Sequence, residues 1–104
     1  MSRLVMKFGG TSVGNAAAIS ALAAITREQL HTWQQVVVVV SAMSGVTDML
    51  LNGAHSAASG DQTSYKEIGA RLREKHAAAL AELVPNAAAA VATSTAIEQL
   101  IDEF

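Results

Sequence analysis

The sequence predicts an α/β chain: a βαβ unit followed by a helical segment. Three observations carry this. Leu4-Val5-Met6 and the five consecutive valines at 36–40 both read as strands. The stretch between them places apolar residues at helical spacing. From Val46 onward that spacing recurs, interrupted only at Ser59-Gly60-Asp61 and Pro85-Asn86.

The first strand covers residues 3–8, with Leu4, Val5, Met6 and Phe8 apolar and Lys7 at its C-terminal end. It runs into Gly9-Gly10-Thr11-Ser12-Val13-Gly14 and then into a helix. A strand that ends in lysine, passes through paired glycines and feeds a helix is suited to an anion. The glycines let backbone N–H groups approach it closely, the helix N-terminus adds partial positive charge, and Lys7 adds a full one. Asn15 or Ser12 can cap a helix that starts near Gly14. Ile19, Leu22, Ala23, Ile25 and Leu30 form its apolar stripe, which fades at 31–33. Trp33 is expected to anchor the connection to the next strand.

The valine run resists helix and favours strand because every residue in it is β-branched. It does not alternate, so both faces are expected to be buried, as in a central parallel strand covered by helices on both sides. The crossover from the first strand should be right-handed. At the end of the run come Ser41-Ala42-Met43-Ser44-Gly45-Val46-Thr47-Asp48, small and hydroxyl residues that mark a loop or helix entry. Ligands of open α/β sheets bind outside the carboxyl ends of the strands. Lys7 and Ser41 would both lie there.

Val46, Met49, Leu50 and Ala54 then follow helical spacing. Ser64-Tyr65-Lys66-Glu67 matches a capping box, with Ser64 as N-cap and Glu67 reaching back. The next helix carries Tyr65, Ile68, Leu72, His76, Ala79, Leu80 and Leu83 on one face. Glu67 and Arg71 are spaced to pair on its surface, and Glu67, Arg71, Arg73 and Glu74 read as a solvated face. Pro85 stops this helix. A last helical pattern covers residues 87–104, with Val91, Ile97, Leu100, Ile101 and Phe104 as its apolar members.

Composition narrows the function. A chain of 104 residues fits one domain or part of one. Its formal net charge of −2, with no block of like charges, argues against a nucleic-acid surface and a polybasic membrane patch. The absence of cysteine excludes thiolate metal sites and thiol nucleophiles. Neither a signal-peptide core nor a run long enough to span a bilayer is present, so a soluble cytoplasmic protein is expected. His31, His55 and His76 lie far apart with no metal-ligand spacing, and are read as solvent-facing or packed. A triad of Ser12, Ser41 or Ser44 with a histidine and Asp48 lacks a GxSxG elbow. Met43 and Met49 read as packing residues.

The loop at 7–14 is not a Walker A motif, because its lysine precedes the glycines. KFGGTSVG at 7–14, followed after the valine strand by SAMSGVTD at 41–48, resembles the N-terminus of the aspartokinases, members of the amino-acid kinase superfamily. The second loop matches a Ser-Ala-x-Ser/Ala-Gly-x-Thr pattern. This resemblance covers essentially the whole chain. It implies that residues 1–104 are the N-terminal part of a catalytic domain, the first βαβ portion of a three-layer αβα fold followed by a helical segment.

The resemblance further implies ATP-dependent phosphorylation of the β-carboxylate of L-aspartate, the entry step to lysine, threonine and methionine biosynthesis. Mg2+ would be held by the ATP phosphates, with no protein metal site. Lys7 would be catalytic, neutralising the transferring phosphates. Gly9, Gly10, Thr11 and Ser12 would line the phosphate loop. Ser41 would sit near the transfer centre and the substrate, with Gly45 and Thr47 on the aspartate side. Later kinase strands and the regulatory ACT domains of the family are missing, so the sequence reads as truncated and the chain alone is expected to be inactive. A homo-oligomer is expected. The rival readings are another amino-acid kinase and a non-catalytic, self-associating fragment whose exposed strand edge pairs with a copy of itself.

Overall fold

The computed structural model describes residues 2–104 and resolves into two compact units, one ending at Ser44 and the other spanning Gly45–Phe104. Each is described by itself.

In the first unit, β1 (Arg3–Phe8) and β2 (Gln35–Val40) form a parallel pair joined through α1 (Ala16–Gln29). This is the expected βαβ arrangement. The register sets Val5 beside Val37, Lys7 beside Val39 and Phe8 beside Val40. Polar side chains pin the start of the pair. The Ser2 N–H donates to Gln34 Oε1 at 3.1 Å, the Gln34 N–H donates to Ser2 Oγ at 3.2 Å, and Arg3 Nε donates to Gln35 Oε1 at 2.9 Å. Trp33 is half-buried, and its N–H donates to the Gln29 carbonyl at the end of α1.

Two expectations are corrected here. The glycine loop does not feed an α-helix directly. It forms a short 3-10 turn, Gly10–Val13, and α1 begins only at Ala16. Asn15 is the cap: its Oδ1 accepts the Ala18 N–H at 2.9 Å. Ser12 lies inside the turn, and the Ala18 N–H in the first turn of α1 serves Asn15 rather than the loop. The second correction concerns β2. Val36 and Val38 are half-buried, whereas Val37 and Val39 on the opposite face are exposed, as is Val5 on β1; Val40 shares the face of Val36 and Val38 but is exposed at the strand end. With two strands and one helix in the unit, alternation of side chains leaves one sheet face to solvent. On the covered side, Phe8 shares an open groove of about 200 Å3 with Ala18, Leu22 and Ile25 of α1.

The second unit is three helices: α2 (Val46–Ala58), α3 (Ser64–Leu83) and α4 (Ala87–Asp102). The predicted face of α3 holds, with Ile68 and Leu72 buried and Tyr65, His76, Ala79, Leu80 and Leu83 half-buried. Burying a side chain such as Ile68 or Leu72 contributes about 1.5–3 kcal/mol. On α2 the inward positions are Val46, Met49 and Gly53, and Leu50 is exposed. Gly53 admits the Phe104 ring: a Cβ there would lie 2.7 Å from Phe104 Cζ. Residues 103–104 lie beyond the end of α4, whose half-buried apolar residues are Ile97 and Ile101, while Val91 and Leu100 are exposed.

The capping box is also corrected. Ser64 is the first residue of α3, and Asp61 does the capping. Asp61 Oδ1 accepts the N–H groups of Thr63 and Ser64, both at 2.9 Å, and the Thr63 hydroxyl at 3.0 Å, while Oδ2 accepts the Ser64 hydroxyl. These bonds, those from Ser64 foremost, hold the Asp61 carboxyl well below the usual carboxylate range. In the box the Ser64 N–H would donate to the Glu67 side chain and the Ser64 hydroxyl would accept the Glu67 N–H; here both Ser64 groups donate to the stronger acceptor Asp61, and the Glu67 N–H donates to the Thr63 carbonyl. Arg73 is not part of a free solvated face. It bridges α3 to α4 through Glu98 at 2.8 Å and through Asp102, and these contacts raise the guanidinium pKa, that with Glu98 foremost. The Glu67–Arg71 pair is absent from the ion pairs of the described residues.

Candidate active site

The parallel pair brings the carboxyl ends of β1 and β2 to the same edge of the first unit, and each end carries one of the loops singled out by the sequence. The ladder continues one step past the strands, where the Ser41 N–H donates to the Phe8 carbonyl at 3.2 Å. Lys7 is exposed and has no ion-pair partner among the described residues. Gly9 is extended, at φ −79° and ψ −178°. Beyond it the chain tightens into the 3-10 turn, closed by the Ser12 N–H donating to the Gly9 carbonyl at 3.0 Å. Thr11 and Ser12 are exposed on this turn.

The two loops touch at Gly10. A Cβ on Gly10 would lie 3.6 Å from Ser41 Oγ and 3.8 Å from the Ala42 carbonyl oxygen. Ser41 is exposed, and its hydroxyl donates to the Ala42 carbonyl at 3.0 Å. Ser44 Oγ donates to the Gly10 carbonyl at 3.2 Å. Lys7, Gly9, Gly10, Thr11, Ser12 and Ser41 thus share one strand-end region of the first unit. The sequence had offered Ser44 as part of a triad, and its bond to Gly10 was not anticipated. Nothing in local spacing signals a bond between residues so far apart in the chain.

Gly45 and Thr47 belong to the second unit. Gly45 precedes α2 in the left-handed conformation, at φ 82°, where glycine is favoured. Nothing lies within 4 Å of a Cβ built on it, so backbone conformation and not crowding accounts for the glycine. Thr47 is exposed in the first turn of α2, beside Asp48, which suits the positive end of that helix.

The donor set in the first unit is one ammonium, a series of backbone amides and several hydroxyls. That chemistry suits phosphate oxygens. It offers no carboxylate cage, and among the described residues no group of three or more His, Cys, Asp or Glu is placed to hold a metal ion. Of the histidines, His76 is half-buried with Nδ1 2.7 Å from the Leu72 carbonyl oxygen, a packed position within its own helix. No helix of the described residues is long and apolar enough to cross a membrane.

Comparison with known proteins agrees with these motifs. An aspartokinase of Rickettsia felis is 47% identical over 51 residues, covering 49% of this chain and 13% of that protein. A chloroplastic bifunctional aspartokinase/homoserine dehydrogenase 1 of Arabidopsis thaliana is 42% identical over 80 residues, covering 77% of this chain and 8% of its own length. An aspartokinase of Helicobacter pylori strain J99 is 52% identical over 48 residues, covering 46% of this chain and 12% of that protein. The chain therefore spans only about a tenth of the length of these relatives. The model of the amino acid kinase family matches residues 2–103, nearly the whole sequence, and the chain belongs to that family.

Proposed function

We propose that this chain carries the phosphate loop of an aspartokinase. In this reading the β-carboxylate oxygen of L-aspartate attacks the γ-phosphorus of ATP, the bond to the β–γ bridging oxygen breaks, and aspartyl phosphate and ADP form. The acceptor is already an anionic nucleophile and needs no general base. The protein's task is positioning and charge stabilisation. Lys7 neutralises the transferring phosphates, Gly9 and Gly10 lend N–H groups, and Thr11 and Ser12 line the loop. Ser41 is assigned to phosphate and acceptor, and Gly45 and Thr47 are assigned to aspartate by the family resemblance alone. Mg2+ held by the nucleotide phosphates would supply further charge balance there, with no protein residue assigned to hold it. A cytoplasmic setting fits this use of ATP, which feeds lysine, threonine and methionine biosynthesis.

The observation that carries the reading is the contact of the two strand-end loops at Gly10, with Lys7 on the adjoining strand end and without an ion-pair partner among the described residues. Because the chain spans so little of its relatives' length, it is expected to bind nucleotide phosphates without turning over. Titration of MgATP into the chain, followed by amide NMR, should shift Gly9, Gly10 and Thr11. Lys7→Ala should weaken binding by about 10- to 100-fold, the worth of a charged hydrogen bond. A coupled ADP assay with aspartate should show no turnover. Equal binding by the Lys7 variant refutes the loop assignment, and aspartate-dependent ADP release refutes the inactivity of the isolated chain.

The exposed sheet face of Val5, Val37 and Val39 favours a second reading, self-association of the chain. Sedimentation velocity decides it: a monomer at high concentration removes this reading and leaves the first untouched.

A further inference from the structure

Resting on the phosphate-loop reading, we propose that Ser44 is a positioning residue for that loop. Its hydroxyl donates to the Gly10 carbonyl at 3.2 Å. In a trans peptide the carbonyl and the following N–H point in opposite directions, and no cis peptide occurs among the described residues. The Gly10 carbonyl is also the acceptor of the Val13 N–H within the 3-10 turn, so the Ser44 hydroxyl is its second donor and braces a peptide whose Thr11 N–H points to the opposite side. That amide has no acceptor among the described residues. The turn's connecting backbone bonds are Ser12 N–H to the Gly9 carbonyl and Gly14 N–H to the Thr11 carbonyl, and they use neither the Gly10 nor the Thr11 N–H.

Gly14 is matched to this link. A Cβ at position 14 would stand 2.8 Å from Ser44 Oγ and 3.3 Å from the same Gly10 carbonyl oxygen. The site thus contains a donor, its acceptor and the gap that lets them meet. The consequence is functional: the loop after β2 sets the aim of an amide in the loop after β1, so an anion meets a donor already oriented rather than one it must order itself.

The test uses the chain as it is, with inorganic triphosphate as the probe, titrated by calorimetry and by amide NMR. The wild-type chain should bind, and Lys7→Ala should abolish or strongly weaken binding. Ser44→Ala should weaken it by about fivefold, the range of a neutral hydrogen bond, and should change the Thr11 amide resonance in the free protein, while the urea midpoint falls only by the loss of that one bond and the unit stays folded. Ser44→Thr, which keeps the hydroxyl, should restore both affinity and resonance. If Lys7→Ala weakens binding but Ser44→Ala leaves affinity and the Thr11 resonance unchanged, Ser44 has no positioning role and the loop reading stands. If Ser44→Ala and Ser44→Thr lose affinity equally with no change at Thr11, the effect is structural and the proposal falls. If the wild type does not bind, or Lys7→Ala binds equally well, the loop reading itself fails.

Discussion

Replacing Gly14 by alanine probes how tightly the two strand-end loops are packed. Gly14 lies at φ −68° and ψ −28°, a conformation open to any residue, so the change introduces no backbone strain. It introduces a methyl group 2.8 Å from Ser44 Oγ, 3.3 Å from the Gly10 carbonyl oxygen and 3.4 Å from that of Thr11. The hydroxyl can rotate away, but then it abandons Gly10. The two carbonyls are backbone in a short turn and give only if the turn shifts. Overpacking of this kind costs about 1–3 kcal/mol, and the lost hydrogen bond about 1 kcal/mol more. The stiffer unfolded chain returns about 0.4–1 kcal/mol. A net loss of about 2 kcal/mol is expected.

In a Ser44→Ala background the nearest atom is gone, and the same substitution should cost about 1 kcal/mol less, a coupling of the size found for residues in contact. Trp33 is the single tryptophan and lies in the unit that ends at Ser44, so its fluorescence in urea reports from within that unit. Four proteins complete the cycle: wild type, each single variant and the double. If the two effects add to within about 0.3 kcal/mol, the hydroxyl and the Gly14 gap are independent and the reasoning is wrong.

Gly53→Ala sets two effects against each other. Alanine gains about 1 kcal/mol of helix propensity, while its Cβ displaces the Phe104 ring from 2.7 Å. The substitution should therefore stabilise a Phe104→Ala variant more than the wild type in urea titrations followed by circular dichroism, and equal effects would deny the contact. Asp61 has a depressed folded-state pKa, so its contribution is complete above the usual carboxylate value of 3.8 and is lost as the pH falls through the folded-state value. Asp61→Asn should flatten the acid limb of the unfolding curve below that pH, and an unchanged limb would remove Asp61 as the cap. Gly45→Ala forces a left-handed alanine before α2 and should cost about 1–2 kcal/mol. Gly45→Asn should cost less, and equal losses would show that conformation is not what selects glycine there.

The elements were legible where one local preference dominated. Five β-branched residues left no alternative to strand at 36–40, and the break at Pro85 follows from the missing N–H. What the valines could not report was the number of covered faces. An unalternating run is the same whether both sides are packed or one is open, because the covering comes from elsewhere in the chain. The capping box failed for a related reason. Ser64 and Glu67 have the right spacing, but a carboxylate at Asp61 takes the Ser64 N–H that Glu67 would have accepted, and the Ser64 hydroxyl with it. Arg73 looked solvated because its partners, Glu98 and Asp102, lie on another helix. In each case the pattern was read correctly within one element, and the outcome was decided by a group outside it.

The same distinction separates the glycines of the motifs. Gly14 is explained by Ser44, Gly45 by a positive φ, and Gly53 by the Phe104 ring, so the fold alone accounts for each. Gly9 is different. Its backbone is extended and nothing lies within 4 Å of a Cβ built on it, so neither conformation nor packing in this chain calls for glycine. A residue without a side chain beside Lys7, in open space at a strand end, has its reason in something that approaches from outside. The proposed phosphate supplies that reason: a bare backbone lets an anion reach the N–H groups a side chain would shield. Gly9→Ala should accordingly leave the urea midpoint of Trp33 fluorescence unchanged and weaken triphosphate binding. Loss of stability without loss of binding would return Gly9 to the fold and remove it from the site.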